Sequence, residues 1–289
     1  MRDSSSKHAS PPPSPTFRKP WREIPWEDKD TELQYLRNYK PHRDIHHLRI
    51  LLHGPVGAGK SSFINSVDNA LRSRITGRPL AEANASASFT KKYETYKIKK
   101  GKPGDFYPFV LSDTMGLEMK EDRGVHPEDI KLALKGRVKD GYTFNPASKL
   151  SSDSLYYNAE PTLNDKVHVL VCVVPADTAA QLTESFVKKI KDIRETASHL
   201  RIPQLAIITK IDLACPEIQE DLKNVYKSKY LKETMEKFSQ LVGIPTNYIF
   251  PVKNYSEEIN INDDVDSLIL SVLRQIIDFG EEFISNMET

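Results

Sequence analysis

The sequence predicts a three-layer α/β fold, a mostly parallel sheet with one antiparallel edge strand and helices on both faces. Three observations carry this expectation. Apolar strand-like runs alternate with segments of helical spacing from about residue 47 onward. One weaker run, Tyr93–Ile98, alternates apolar and polar residues as an edge strand does. The first run is followed at once by a Gly-rich turn and an amphipathic segment, the strand–loop–helix frame of a phosphate-binding unit.

Taken in order, residues 1–20 are rich in Ser, Pro and basic residues and include Pro11–Pro15. Such a composition buries too little apolar surface to offset its ordering entropy, and it is read as a disordered tail. Pro12 and Pro15 form a PxxP, read as part of that tail because the pattern is common in Pro-rich segments. Residues 21–42 form a lead-in in which Trp21, Ile24, Trp26, Leu33 and Leu36 surround a short helix, Glu27–Asn38, packed on the main domain. Strands are expected at Leu48–Leu52, Tyr93–Ile98, Phe106–Leu111, Val167–Val174, Leu205–Thr209 and Tyr248–Val252. Helices are expected at Ser61–Arg72, Leu182–Leu200, Ile218–Leu241 and Val265–Ile284. The stretch 118–164 breaks the rhythm: one helix opens at Pro127, and an irregular run rich in Ser, Asn and Tyr follows. It is read as a functional loop or mobile insertion in a domain spanning 43–289.

Bulk composition excludes several classes. The 289 residues are 38% hydrophobic and 28% charged, with 41 basic and 40 acidic residues giving a net charge of +1. That balance argues against a non-specific polyanion or nucleic-acid binder. Cys172 and Cys215 cannot build a disulfide framework, and Cys172 lies in an apolar run where a small buried thiol is the ordinary reading. No stretch approaches the ~20 apolar residues of a membrane span. The N-terminus lacks a signal peptide and the C-terminus a prenylation box, so the expected address is cytoplasmic. His42, His46, His47 and His53 lack metal-site spacing.

The chemistry sits in three motifs that fall in order along the chain. Gly54-Pro55-Val56-Gly57-Ala58-Gly59-Lys60-Ser61 fits G-x-x-x-x-G-K-[ST]. Its glycines let backbone N–H groups turn inward around phosphates at a helix N-terminus, Lys60 meets the β- and γ-phosphates, and the Ser61 hydroxyl coordinates Mg²⁺. Ala58 and Ser62 belong to the same grip. Asp113-Thr114-Met115-Gly116 fits D-x-x-G at a strand end, where Asp113 holds the Mg²⁺ shell and the Gly116 N–H meets the γ-phosphate. Thr209-Lys210-Ile211-Asp212 fits [NT]-K-x-D: the Asp212 carboxylate accepts from both N1–H and N2–H₂ of guanine, donors that adenine lacks, while the Lys210 stem covers the ring.

Two elements are softer. Thr90, 23 residues before Asp113, stands where a switch threonine completes the Mg²⁺ shell, with Ser86, Ser88 and Thr95 as competitors. Val252-Lys253-Asn254 either lends a backbone N–H to guanine O6, through Lys253, or is an ordinary strand-to-helix loop. Lys91, Lys92, Lys97, Lys99, Lys100 and Lys102 gather at the β-hairpin. They are read first as a solvated edge and second as a face for an acidic partner or membrane surface.

The run Leu51–Phe63, the Asp113–Leu117 box, the lead-in Lys19-Pro20-Trp21-Arg22 and Pro251-Val252-Lys253-Asn254-Tyr255 together resemble the interferon-induced protein 44 and 44-like family, from about residue 19 to the C-terminus. The resemblance implies an interferon-inducible cytoplasmic protein with a G domain, an antiviral or innate immune role, and an immune or cytoskeletal protein partner. Longer members carry an additional N-terminal TLD-type domain. The combined expectation is a Ras-like P-loop G domain that binds GTP or GDP with Mg²⁺. Its unaided hydrolysis is expected to be slow or nil, because Leu117 stands where many GTPases place a water-orienting Gln. Two alternatives stand beside it: a P-loop scaffold with a vestigial nucleotide pocket, and an ATP-using P-loop enzyme, which Asp212 disfavours.

Overall fold

The structure, a computed structural model, describes residues 14–42, 45–76, 92–118 and 123–287. After a lead-in helix, α1 (Lys29–Asn38), the chain runs through β1 (Leu48–His53), α2 (Lys60–Arg72), β2 (Glu94–Lys99), β3 (Phe106–Asp113) and α3 (Pro127–Leu134). There follow β4 (Val169–Pro175), α4 (Ala176–Ala179), α5 (Glu184–His199), β5 (Gln204–Thr209), α6 (Ile211–Ala214) and α7 (Pro216–Glu220). Helix α8 (Lys229–Val242), strand β6 (Ile249–Pro251) and helix α9 (Asp263–Asn286) complete it. The strands form one sheet in the order β2-β3-β1-β4-β5-β6, in which only β2 runs antiparallel to its neighbour. The expected fold class is therefore what the chain adopts, with the alternating run Tyr93–Ile98 supplying the antiparallel edge as β2.

Side-chain alternation sorts the strands between two cores. Leu48, Ile50 and Leu52 of β1 join Val169, Val171 and Val173 of β4 on the face covered by α1, α2 and α9. Leu51, Leu170, Cys172 and Val174 face α3, α5 and α8. Every residue of β4 is buried, as a central parallel strand requires. Cys172 lies in that strand with its thiol pushed up to about 12 by burial, which makes it an inert core residue.

Three expectations on element limits need correction. Residues 14–20, assigned by composition to the tail, dock on the domain. Thr16 bridges Ser228, the Phe17 N–H donates to the Lys227 carbonyl at 2.8 Å, and the Phe17 ring lies under the ammonium groups of Lys229 and Lys232. The earlier residues of the tail, Pro12 among them, lie outside the described residues.

The single helix expected at Ile218–Leu241 is interrupted: α7 ends at Glu220, a short 3₁₀ turn follows, and α8 starts afresh at Lys229. The cause is Ser228, whose hydroxyl accepts from Leu231 N–H at 3.1 Å as an N-cap and donates to Glu217 at 2.6 Å.

The 118–164 stretch, expected as a functional loop or mobile insertion, is irregular beyond α3 yet packed. Buried Asp129 accepts from the Tyr142 hydroxyl at 3.1 Å and from the Leu150 N–H at 2.7 Å, and Tyr142, Phe144 and Leu150 are buried beside it.

The lead-in is tied down at both ends. Arg22 lies over the rings of Trp21, Tyr226 and Phe250, and it donates to the carbonyls of Ile249 and Thr246 at 2.8 Å each. Helix α1 buries Leu33 and Leu36 and pairs Glu32 with Arg274 of α9 at 2.9 Å.

Candidate functional site

The loop between β1 and α2 is shaped by close backbone approaches. Gly59, at φ 86°, caps α2, and a Cβ there would stand 2.9 Å from the Asn254 amide nitrogen. Gly116 passes so near Val56 that a Cβ would lie 2.6 Å from its backbone N and Cα. Glycine is thus imposed at both motif positions by the crossing of two segments. That crossing is hydrogen-bonded: Leu117 N–H donates to Gly54 O at 2.9 Å, and Val56 N–H donates to Leu117 O at 3.3 Å. Leu117, just after the D-x-x-G box, is thereby bridged in parallel to Pro55 of the phosphate loop.

Lys60, the first residue of α2, is only 7% exposed. Its ammonium donates to the Pro55 carbonyl at 3.2 Å and makes no ion pair among the described residues. Burial pulls its pKa down, with Asp113 opposing the shift. A buried cation of this kind is costly unless an anion meets it, so the loop fits a phosphate. The Ser61 hydroxyl donates to the Asp113 carboxylate at 2.5 Å, which brings together the hydroxyl and acid expected to hold a divalent cation. Thr114 fixes the β3 end by donating to Leu52 O at 2.9 Å.

The third motif joins the same place. The Thr209 hydroxyl donates to the Ala58 carbonyl at 2.6 Å, fastening the end of β5 to the phosphate loop. Lys210 follows in the left-handed region (φ 56°) with its side chain exposed, and Asp212 sits half-buried in the first turn of α6. Gly54, Gly57 and Ser62 lie in or beside the same loop, and the Ser62 carbonyl accepts from Ser66 at 2.8 Å.

Thr90 and its competitors Ser86 and Ser88 lie outside the described residues. Thr95 is inside β2, 3.2 Å from the Ser112 hydroxyl, and is held by the sheet. The Lys253 ammonium pairs with Glu258 at 3.0 Å. Beside it, the Asn254 amide donates to Gly59 O at 3.1 Å, and the Tyr255 N–H donates to the Ser66 hydroxyl at 2.9 Å. The two stitch the loop after β6 onto the N-cap and the middle of α2. The sequence points to this loop for a backbone donor at Lys253; the Asn254 side-chain tether is an additional feature that nothing in the spacing signals.

Below the loop, His53 is fully buried, with neither ring nitrogen hydrogen-bonded among the described residues. Burial first, then Lys60 and Arg194, push its pKa down to about 3, so it is neutral. Among the described residues no group of three or more His, Cys, Asp or Glu side chains is arranged to hold a metal, and no helix is long and apolar enough to cross a membrane.

The chain is 32% identical to human interferon-induced protein 44-like over 262 residues, which is 90% of this chain and 58% of that protein. It is 35% identical to mouse interferon-induced protein 44 over 256 residues, 88% of this chain and 60% of that protein. The chain is related to the interferon-induced protein 44 family. It spans somewhat under two thirds of the length of these relatives. No family model matches the chain. Among solved structures, Toc33 from Arabidopsis thaliana in complex with GDP and Mg²⁺ aligns at 15% identity and TM-score 0.49, covering 88% of this chain and 91% of that one. A probable GTP-binding protein engB aligns at 13% identity and TM-score 0.44, covering 81% of this chain and 99% of that one. The fold assignment rests on the strand order and loop geometry of this relative of interferon-induced protein 44 itself.

Proposed function

We propose that the chain is a guanine-nucleotide-binding protein that holds GTP or GDP with Mg²⁺ and, unaided, hydrolyses GTP slowly or not at all. The observation that carries the reading is the 2.6 Å hydrogen bond from Thr209 to Ala58, which joins the guanine-reading motif to the phosphate loop. Lys60 and the loop N–H groups bind the phosphates, and Asp212 accepts from the guanine edge. Ser61 and Asp113 would hold Mg²⁺, joined by Thr90, and the ion would neutralise charge on the β- and γ-phosphates. Leu117 supports the slow-turnover part: its side chain is 1% exposed in the core, and its backbone is engaged by Gly54 and Val56. It can neither orient a water nor donate to the transition state. The names of the relatives support interferon induction of this chain as well. A cytoplasmic address, an antiviral or innate immune role and an immune or cytoskeletal protein partner complete the proposal.

The test is the nucleotide content of protein purified without added nucleotide, read by ion-pair chromatography after denaturation. Near-stoichiometric GDP or GTP is expected. Bound adenine nucleotide would overturn the base assignment, and an empty pocket that also fails to take up added GDP would leave a P-loop scaffold.

A further inference from the structure

At the opposite end of α2 from the phosphate loop, five cationic side chains converge on one concavity of about 460 Å³. Arg37 comes from the last turn of α1, Arg72 and Arg74 from the end of α2, and Lys99 and Lys100 from the end of β2. Tyr107, at the start of β3, is the floor: its ring is buried, and the Lys100 ammonium stands 5.7 Å from the ring centre. Thirteen helical residues separate this end of α2 from its beginning at Lys60, a rise of roughly 20 Å, so the cleft is distinct from the nucleotide site.

Acidic compensation is sparse. Arg72 pairs with Asp68 at 3.5 Å, and Asp105 lies within electrostatic reach of Tyr107. Arg37, Arg74, Lys99 and Lys100 make no ion pair with any described residue. Cations near helix C-termini are stabilised by the helix dipole, which accounts for Arg37 and Arg72 taken singly. It does not account for two strand lysines and a further arginine closing on the same cleft. The near-neutral whole chain means that this charge is local.

We propose that this cleft binds a compact ligand bearing several phosphate groups, such as a polyphosphorylated inositol ring, free or as a lipid headgroup. Arginine forks match phosphate oxygens in pairs, and lysines add point charges. A cleft of this volume suits a small molecule, and its concavity favours a compact polyanion over an extended nucleic-acid strand. Lys99 and Lys100, two of the hairpin lysines read from sequence as a solvated edge or a face for an acidic partner or membrane, thus become one wall of a defined site.

The test uses the full chain loaded with GDP and titrated calorimetrically with inositol hexakisphosphate at physiological salt. Binding is expected, weakened about tenfold or more in Arg74→Glu/Lys99→Glu, since two charge-assisted contacts reverse sign. Arg37→Gln, which keeps a polar side chain at an exposed position, is expected to lose several-fold. Lys188→Glu/Lys191→Glu, with the same change in net charge on exposed positions of α5, is expected to bind like the wild type. GDP affinity and melting temperature are expected to stay level across the set. A second arm compares vesicles containing phosphatidylinositol bisphosphate with charge-matched phosphatidylserine vesicles. Selective retention on the former identifies a lipid source, and its absence with intact inositol hexakisphosphate binding identifies a free one; both support the site. No binding of inositol hexakisphosphate, equal loss in the two double variants, or tighter binding of a single-stranded oligonucleotide would overturn it.

Discussion

Lys60 and Asp113 were readable from the sequence because the motifs that contain them have fixed spacings set by the chemistry they are built for. A phosphate grip needs a cation after the Gly-rich turn, a metal shell needs an acid at the neighbouring strand end, and both requirements leave fixed spacings. Asn254 was not singled out as a site residue, since a side-chain tether to Gly59 O is set by tertiary approach and leaves no spacing signal. Lys60→Ala should abolish nucleotide binding while leaving the fold intact, because it removes a buried charge that makes no ion pair among the described residues. Titration of a fluorescent GDP analogue, with circular dichroism as the fold control, checks this. Retained nanomolar binding by the folded variant would contradict it.

A second residue-scale consequence concerns acid. The His168 ring accepts from Arg49 N–H at 2.9 Å, and its other nitrogen meets Leu163 O at 3.1 Å. Burial pulls its pKa down from 6.5 to about 4. Between those values the unfolded chain holds the proton and the folded chain does not, so stability falls as pH drops through that window. By about pH 5 the loss from His168 should be roughly 2 kcal/mol. Denaturant unfolding at pH 7.5 and 5 should show it on top of the loss that buried His53 contributes in the same window, and His168→Asn, which keeps an acceptor but cannot be protonated, should shrink the dependence by about that amount. An equal slope in the variant would contradict the assignment.

At the scale of elements, strands and long helices were legible because buried parallel strands write continuous apolar runs and helices write a stripe of period 3.6. What was not legible depended on single polar side chains or on remote contacts. The break before α8 comes from the Ser228 cap overriding an amphipathic pattern that continues through it. The docking of residues 14–20 rests on backbone hydrogen bonds to Lys227 and Lys229 and on the Phe17 ring beneath Lys229 and Lys232, all more than 200 positions away. Removing residues 1–13 should therefore leave the melting temperature nearly unchanged. Removing residues 1–22 should lower it by about 5 °C or more, since Phe17, Trp21 and Arg22 are lost together. Differential scanning calorimetry of the two truncations decides the point, and equal melting temperatures would contradict the docking.

For the whole molecule, the sheet order brings three motifs from distant parts of the chain to one end of the central strands, where open α/β sheets bind ligands. Under the proposed function, turnover belongs to that assembled site. With Leu117 buried, phosphate release by the protein alone should be no faster than the ~10⁻⁴ to 10⁻³ s⁻¹ of an unassisted small GTPase. A rate on the order of 1 s⁻¹ at low protein concentration would contradict this, whereas a rate rising with concentration would indicate a group supplied by a second copy. Base choice lies closer to the central claim and is measured without turnover. Calorimetric titration of the nucleotide-free protein with GDP and ADP in Mg²⁺ should give tight binding of GDP alone. Asp212→Asn should weaken GDP about 10²-fold, because guanine loses the acceptor for its paired donors. Equal affinities for GDP and ADP in the wild type, or no loss in Asp212→Asn, would contradict the guanine-binding account.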